Sequence, residues 1–175
     1  MNIDAALEAA KGVRLLLLDV DGVLTDGRLY YGDNGNEYKA FNTKDGLGIK
    51  LLQRAGIEVG IITARSSTLL TRRCKELGIE KIIQGREDKL AALRELLTDT
   101  PLPMTKIAYM GDDLPDLAII NRVGLGMTVA DANHVVVAHA AWQSRYPGGS
   151  GAVREAAEFI LEAQGKLESL IQSYG

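Results

Sequence analysis

The stretch that decides the fold is Leu15-Leu16-Leu17-Leu18-Asp19-Val20-Asp21-Gly22-Val23-Leu24-Thr25-Asp26. Its apolar run ends abruptly in two aspartates, a pattern that indicates a buried strand of a parallel sheet. Open α/β folds bind their ligands at the carboxyl ends of such strands. The stretch therefore predicts an α/β protein that has Asp19 and Asp21 in its functional site.

Two carboxylates at this spacing suit phosphoryl transfer. One can attack phosphorus and form an aspartyl-phosphate, while the other protonates the leaving alcohol and then activates water. Two anions repel a phosphate unless a divalent cation lies between them, so the pair also implies Mg²⁺, which prefers oxygen ligands. The alternative is a strand that runs into an acidic turn.

Composition limits the class of protein. With 175 residues, 46% of them hydrophobic and 25% charged, the chain is expected to form one globular domain over residues 1–175. A net charge of −3 argues against a nucleic-acid partner. The single cysteine, Cys74, rules out an intrachain disulfide. No apolar run approaches membrane-spanning length, so we expect a cytoplasmic protein without a membrane partner.

Predicted strands and helices alternate along the chain. Strands are predicted at Leu15–Asp19, Glu58–Ile62, Lys81–Gln84, Lys106–Met110, Val123–Met127 and, at an edge, Ala141–Gln143. Helices are predicted at Asp45–Ala55, Ser67–Leu77, Glu87–Leu97, Leu114–Asn121, Ala132–His139 and from Ala152 onward. This alternation predicts a doubly wound, mostly parallel sheet.

Two regions depart from the alternation. Arg28–Tyr31 and Glu37–Phe41 flank a turn-rich segment, which predicts a β-hairpin with no room for a cap domain. At the C-terminus, apolar residues recur at helical spacing up to Leu167, while Gly165 and the polar end at Gln172–Gly175 indicate fraying.

Two single residues at predicted strand or helix ends complement the aspartate pair. Thr63 ends the second sheet strand with a hydroxyl that can donate to a phosphate, although it can equally cap the next helix. Lys89 lies near a helix start, where a cation opposes the helix dipole and needs an anionic partner. A phosphate would serve, and the alternative is an exposed lysine.

The segment Tyr109–Asp116 brings three carboxylates just past another buried strand. Asp112 is suited to bind the metal beside Asp19, with Asp113 or Asp116 ordering the metal's water molecules. Capping of the following helix by Asp113 is compatible with that role.

The order Asp-x-Asp, Thr, Lys, Gly-Asp-Asp-x-x-Asp resembles the haloacid dehalogenase superfamily of phosphohydrolases. The resemblance implies that Asp19 is the nucleophile and Asp21 the general acid/base. It implies that Thr63 and Lys89 hold the phosphoryl oxygens. Mg²⁺ would bind the Asp19 carboxylate, the Asp21 backbone carbonyl and Asp112.

Four further stretches resemble the phosphatases of 3-deoxy-D-manno-octulosonate 8-phosphate, which act in the synthesis of the lipopolysaccharide inner-core sugar. They are Asn42–Gly48, Gln84–Gly85, Gly148–Glu155 and Ala163–Leu167. The resemblance implies a phosphorylated sugar acid as substrate and a homotetramer assembled through the hairpin. The tail of one subunit would then cover the site of the next.

The same resemblance implies substrate contacts that reach beyond the phosphate. Arg65 is the discriminating position, because relatives that act on nonulosonate 9-phosphates tend to carry Glu there. The other implied substrate contacts are Asp21, Asn42, Thr43, Lys44, Asp45, Gly46, Lys50, Arg73 and Lys89.

Two alternatives stay open. Within enzymes, the substrate could be a nonulosonate 9-phosphate or a broader range of sugar phosphates. Outside enzymes, a phosphorylatable receiver domain also uses Asp, Thr, Lys and Mg²⁺ on a doubly wound sheet. In receivers the first strand supplies the acidic metal-binding pair, and a later strand supplies the phospho-acceptor. Here the first strand instead carries Asp-x-Asp, with the general acid in place, which argues against a receiver.

Overall fold

A computed structural model describes residues 2–175 of the chain. Six strands form a parallel sheet in the order β5-β4-β1-β6-β7-β8, and two more form a separate antiparallel hairpin. The sheet strands are β1 (Leu15–Leu18), β4 (Glu58–Ile62), β5 (Lys81–Ile83), β6 (Ile107–Met110), β7 (Leu125–Thr128) and β8 (Trp142–Gln143); the hairpin strands are β2 (Tyr30–Tyr31) and β3 (Glu37–Tyr38).

Eight α-helices accompany these strands in the described part of the chain. They are α1 (Ile3–Lys11), α2 (Thr43–Arg54), α3 (Thr68–Leu77), α4 (Lys89–Leu96), α5 (Leu117–Ile120), α6 (His134–His139), α7 (Ala152–Ala163) and α8 (Leu167–Gln172). None of them is long and apolar enough to cross a membrane.

The central strand β1 is buried on both faces because its side chains alternate between two cores. Leu16 and Leu18 join the core that contains residues of α1, α2 and α7. Leu15 and Leu17 join the core that contains residues of α4, α5 and α6. The continuous leucine run is thus the signature of a strand covered by helices on both sides, and the predicted doubly wound fold is confirmed.

The strand order reverses beside β1. The chain builds β4 and β5 on one side of this strand and then returns to build β6, β7 and β8 on the other. A crevice forms at the carboxyl ends of the strands where such a sheet changes direction. The segments after β1, β4 and β6 all open into that crevice.

The C-terminal region differs from its prediction. Gly165 has a φ of 65° and ends α7, but a further helix, α8, follows instead of a frayed end. This helix is anchored to the end of α2. Lys166 donates to the carbonyl of Ala55 at 3.1 Å, Arg54 donates to the Ser173 hydroxyl at 2.7 Å, and the Arg54 guanidinium lies 5.1 Å from the ring centre of Tyr174.

Three other differences are local. Helix α1 was not predicted; Asn2 caps it, and two of its alanines are buried. The predicted helix at Leu114–Asn121 starts as a 3₁₀ turn over Leu114–Asp116, because Asp113 caps it and Pro115 occupies its first turn. The hairpin strands are also shorter than predicted.

Candidate active site

Three strand ends bring the predicted site residues together. Asp19 follows β1, Thr63 follows β4, and Asp112 follows β6 after a single glycine. Because β1 pairs in parallel with both β4 and β6, the three side chains share one edge of the sheet. Carboxylate oxygens of Asp19, Asp112 and Asp116 all lie within 4.8 Å of one another.

Lys89 lies at the centre of this acidic cluster. Its side chain is 2% exposed, and its ammonium is 2.7 Å from Asp19 Oδ2 and 2.5 Å from Asp116 Oδ1. Burial alone would lower the pKa of Lys89, but the two carboxylates outweigh it and raise the pKa above its usual value. The prediction that Lys89 needs an anionic partner at its helix start is confirmed, with two carboxylates as partners.

Asp116 fixes the loop that carries Asp112. The Asp116 carboxylate, fully buried, accepts from Lys89 and from the Tyr109 hydroxyl through Oδ1, both at 2.5 Å. Its Oδ2 accepts from the backbone amides of Asp112 at 3.0 Å and Asp113 at 3.1 Å. Burial and the neighbouring Asp116 raise the pKa of Tyr109 well above its usual value, so this phenol acts as a donor.

Asp113 has a different environment. It is exposed, and its carboxylate accepts from the amide of Leu114 at 2.8 Å as the cap of the 3₁₀ turn. The capping role foreseen for Asp113 is confirmed. The role of Asp113 or Asp116 in ordering metal-bound water stays a prediction. Both carboxylate oxygens of Asp116 already accept hydrogen bonds from protein donors.

The carboxylate cluster fits a hard divalent cation. Burial first, and then Asp116, raise the pKa of Asp19 to about 6 against the opposing effect of Lys89. Burial, Asp116 and Asp19 together raise the pKa of Asp112 to about 7. A cation bound beside these groups would favour their ionised forms, and oxygen ligands at this spacing suit Mg²⁺. Asp19 and Asp112 would hold the ion.

Gly22 allows the aspartate turn to approach Asp112. Its φ is 93°, and a Cβ at this position would lie 2.1 Å from an Asp112 carboxylate oxygen. The opposite side of the turn is closed by Gly148, where a Cβ would lie 1.9 Å from the Gly22 carbonyl oxygen. The glycine-rich loop before α7 is therefore a support that keeps the Asp-x-Asp turn against the metal-binding loop.

Asp21 belongs to a ring of four charged side chains. Lys39, at the end of the hairpin, donates to Asp21 Oδ1, and Arg65 Nε lies 3.6 Å from Asp21 Oδ2. Glu37 connects the two cations, with Oε1 at 3.1 Å from Arg65 Nη2 and at 3.7 Å from Lys39 Nζ. The ring joins the β1 turn, the hairpin and the loop after β4.

Thr63 is buried at the end of β4. Its amide donates to Ile83 in the neighbouring strand at 3.0 Å, and its carbonyl accepts from Arg86 at 3.3 Å. Within residues 2–175 the Thr63 hydroxyl forms no hydrogen bond, and Ser67 rather than Thr63 occupies the cap position of α3. The hydroxyl is free to donate to a ligand in the crevice.

The predicted substrate-lining segment at the start of α2 divides into two parts. Thr43 and Lys44 are exposed, while Asn42 caps α2 and donates to the Gly149 carbonyl at 3.1 Å. Asp45 is buried, and its carboxylate accepts from the amides of Gly151 at 3.3 Å and Arg154 at 2.9 Å. The Asp45 carboxylate therefore anchors the N-terminus of α7, and its contact with substrate stays a prediction.

Three other predicted contacts, Lys50, Arg73 and Gly46, have their described neighbours outside the carboxylate cluster. Lys50 donates to the Leu77 carbonyl at 2.6 Å, at the end of α3, which lies at the opposite edge of the sheet. Lys50 therefore lies at the sheet edge opposite the carboxylate cluster, and its contact with substrate stays a prediction. Arg73 pairs with Glu76 at 3.3 Å on its own helix, and its guanidinium packs against the buried Gly46.

Three residues of the site, Tyr109, Lys39 and Glu37, were not predicted from the sequence. Tyr109 carries a hydroxyl inside the buried strand β6, and a fully buried phenol requires a hydrogen-bond partner, so this signal was present. Lys39 gives no such signal, because Glu37-Tyr38-Lys39 alternates like an ordinary solvent-facing hairpin strand. Only the tertiary structure brings its ammonium against Asp21.

Comparisons with known proteins identify a family and several similar proteins. Residues 79–154 match the family described as haloacid dehalogenase-like hydrolase. The 3-deoxy-D-manno-octulosonate 8-phosphate phosphatase of Escherichia coli K12 is 47% identical over 159 residues, which cover 91% of this chain and 85% of the relative.

Two similar solved structures contain metal ions. The 3-deoxy-D-manno-octulosonate 8-phosphate phosphatase of Moraxella catarrhalis, in complex with magnesium ion, phosphate ion and KDO, is 41% identical with a TM-score of 0.97 and covers 99% of this chain and 100% of its own. The cobalt-bound phosphatase of Haemophilus influenzae is 39% identical with a TM-score of 0.87 and covers 91% and 93%.

Proposed function

We infer that this chain, which belongs to the 3-deoxy-D-manno-octulosonate 8-phosphate phosphatases of the haloacid dehalogenase superfamily, hydrolyses that sugar-acid phosphate with the help of Mg²⁺. The observation that carries this function is the cluster of Asp19, Asp112 and Asp116 around the buried Lys89. It combines a carboxylate nucleophile with positive charge and metal ligands at one sheet edge.

The first half of the reaction depends on Asp19. Its carboxylate attacks phosphorus, the bond to the sugar oxygen breaks, and an aspartyl-phosphate forms. Lys89 and the Thr63 hydroxyl stabilise the negative phosphoryl oxygens. Asp19, Asp112 and the Asp21 backbone carbonyl would hold Mg²⁺, which would supply positive charge to offset the repulsion between the nucleophile and the phosphate.

The second carboxylate moves the protons. Asp21 gives its proton to the departing sugar oxygen, which leaves as an alcohol. The same carboxylate then takes a proton from water, and the hydroxide attacks phosphorus to release phosphate and free Asp19. Each turnover thus returns Asp21 to its protonated form.

A phosphate-release assay across sugar phosphates tests this function. We expect hydrolysis of 3-deoxy-D-manno-octulosonate 8-phosphate to exceed that of nonulosonate 9-phosphates and glucose 6-phosphate, and to stop when EDTA removes Mg²⁺. Equal rates on all substrates would support the broad sugar-phosphate alternative. Undiminished activity in EDTA would contradict the metal-assisted mechanism.

Recognition of the sugar acid is assigned to Arg65. The Arg65 side chain is 41% exposed and lies beside Asp21, so its guanidinium is available to a substrate carboxylate. The exposed Thr43 and Lys44, together with Asn42, would line the approach. Arg73 is a candidate contact for the site of a neighbouring subunit.

The hairpin would join subunits of a homotetramer. Its large side chains Leu29, Tyr30, Tyr31 and Tyr38 are all 40% exposed or more. A hairpin of two-residue strands is marginal by itself, and aromatic residues favour contact surfaces. Packing against other copies of the chain would stabilise it.

Sedimentation analysis of a double variant tests the assembly. Tyr31→Ser with Tyr38→Ser should release monomers, whereas Ile3→Ser, which removes an equally exposed apolar side chain from α1, should not. A wild-type protein that sediments as a monomer would contradict the tetramer and leave the phosphatase chemistry intact. The cytoplasmic location stays a prediction from the sequence, and the role in lipopolysaccharide synthesis stays a prediction from the resemblance.

A further inference from the structure

Lys39 is an unusual lysine for a two-stranded hairpin. Its side chain is only 3% exposed, although the hairpin around it is open to solvent and Tyr38 beside it is 57% exposed. A buried ammonium is unfavourable unless anions compensate it. The side chain therefore turns inward for a specific partner rather than by chance.

That partner is one oxygen of the general acid/base. Lys39 Nζ donates to Asp21 Oδ1. Asp21 Oδ2 has Arg65 Nε at 3.6 Å, beyond hydrogen-bonding distance, so within residues 2–175 this oxygen accepts no direct hydrogen bond. The two oxygens of Asp21 thus differ: Oδ1 accepts a hydrogen bond from Lys39, while Oδ2 has only the longer ionic contact with Arg65.

We propose that Lys39 is a positioning residue that fixes Asp21 through Oδ1 and so reserves Oδ2 for proton transfer to and from the substrate oxygen. The proposal rests on the phosphatase function described above. Asp21 sits on a turn and is free to rotate about its side-chain bonds, and proton transfer needs one oxygen within hydrogen-bond reach of the leaving group. Glu37, 3.7 Å from Lys39 Nζ, adds a second negative charge that compensates the buried ammonium.

The surroundings of Lys39 favour this role over phosphate binding. Its closest charged neighbours are the carboxylates of Asp21 and Glu37, which repel a phosphate. Lys89, by contrast, contacts the nucleophile and is the ammonium suited to the phosphoryl group. Each lysine therefore serves a different carboxylate of the Asp-x-Asp pair.

The test compares two leaving groups in the first turnover. A sugar alkoxide needs a proton to depart, whereas 4-nitrophenolate is a weak base and leaves without one. The protein is the full chain with Mg²⁺, the substrates are the sugar-acid phosphate and 4-nitrophenyl phosphate, and the variants are Lys39→Met, Lys39→Gln and Lys39→Arg. Lys75→Met, an exposed lysine of α3, is the matched control.

We expect Lys39→Met and Lys39→Gln to slow release of the sugar about 10²-fold, the lower range for general acid catalysis. First-turnover release of 4-nitrophenol should change less than about 5-fold, because that bond breaks without Asp21. KM and the calorimetric affinity for Mg²⁺ should stay near wild type. Lys39→Arg should recover most of the loss, and Lys75→Met should match wild type.

Equal losses on both substrates would overturn the proposal, because Lys39 would then support the fold or the phosphate. No loss on either substrate would overturn it as well. A wild-type enzyme that ignores the sugar-acid phosphate but hydrolyses glucose 6-phosphate would contradict the proposed substrate only. The Lys39 comparison is then made with glucose 6-phosphate as the alkyl ester.

Discussion

Two sides of the active site hold their carboxylates differently. The frame side consists of Asp19, Lys89, Tyr109, Asp112 and Asp116 at the sheet edge, and the hairpin side consists of Asp21, Glu37, Lys39 and Arg65. On the frame side, Lys89 extends from α4 and binds Asp19, with Asp116 and Tyr109 completing a fully buried network. On the hairpin side, Lys39 binds Asp21, but Asp21 and Glu37 keep 20% and 28% of their side chains exposed.

This difference matches the two tasks. The nucleophile and the metal ligands must keep a fixed geometry, and a network inside the sheet core provides it. The proton carrier must meet a sugar that enters from solvent and leaves again, and its support comes from a small hairpin outside the sheet. Substrate entry can therefore rearrange the hairpin side without disturbing the nucleophile.

The largest effect should come from the nucleophile on the frame side. Asp19→Asn keeps the side-chain shape but removes the attacking oxygen and a metal charge, so activity should fall by several orders of magnitude with a normal fold. Stopped-flow kinetics and thermal unfolding measure both. An active Asp19→Asn variant would refute covalent catalysis. Asp21→Asn should also lose activity, but it should still form a phosphoenzyme with 4-nitrophenyl phosphate.

Lys89→Met should damage stability as well as activity. Removal of this ammonium leaves Asp19 and Asp116 buried without their cation, and breaking such a buried pair costs about 3–5 kcal/mol. Lys39→Met should cost less, because solvent reaches both of its anionic partners. Urea unfolding of both variants measures the free energy of unfolding. Equal decreases would show that the two lysines contribute equally to stability.

Arg65→Glu tests whether the hairpin side determines substrate specificity. An anion at this position repels the substrate carboxylate, so kcat/KM for 3-deoxy-D-manno-octulosonate 8-phosphate should fall about 10²-fold further than that for glucose 6-phosphate. Arg65→Lys should keep part of the preference. If both substrates lost activity equally, Arg65 would serve phosphate binding or structure instead.

Mg²⁺ should stabilise the frame side more at high pH than at low pH. The pKa values of Asp19 and Asp112 rise from 3.8 to about 6 and about 7. The metal-free fold therefore binds more protons than the unfolded chain, and its stability falls as pH rises through this range. Mg²⁺ binds the ionised carboxylates and offsets that loss.

Thermal unfolding with EDTA or Mg²⁺ measures this dependence. The increase in Tm on adding Mg²⁺ should be larger at about pH 8 than at about pH 5. Asp112→Asn should raise metal-free stability at about pH 8 and abolish the Mg²⁺ response. An equal Mg²⁺ effect at both pH values would contradict the raised pKa values.

The smallest effect should come from the C-terminal tail. Truncation after Gln164 removes α8 and its contacts with Arg54 and Ala55, all at the edge of the sheet opposite the site. We expect a folded tetramer whose turnover changes only through loss of cover on a neighbouring site. Sedimentation and steady-state kinetics measure both, and unchanged kinetics would exclude the tail from the site.

The frame side could be predicted almost entirely from the sequence. The leucine run, the Asp-x-Asp pair, Thr63, Lys89 and the Gly-Asp-Asp segment each end a strand or begin a helix. In a parallel sheet all such ends meet at one edge, whatever the details of packing. Local pattern and topology were therefore sufficient to bring Asp19, Lys89 and Asp112 together.

The hairpin side was decided by the tertiary structure. Hairpin side chains have no fixed partner in the sheet, so nothing in the alternation of Glu37-Tyr38-Lys39 says which of them turns inward. The same holds for Asp45 and Lys50, whose polar groups serve α7 and the end of α3 because those elements pack beside them. The sequence by itself determined which carboxylates meet at the carboxyl edge of the sheet. The packing of separate elements decided which cations and amides hold them, since such contacts depend on distances that no sequence spacing encodes.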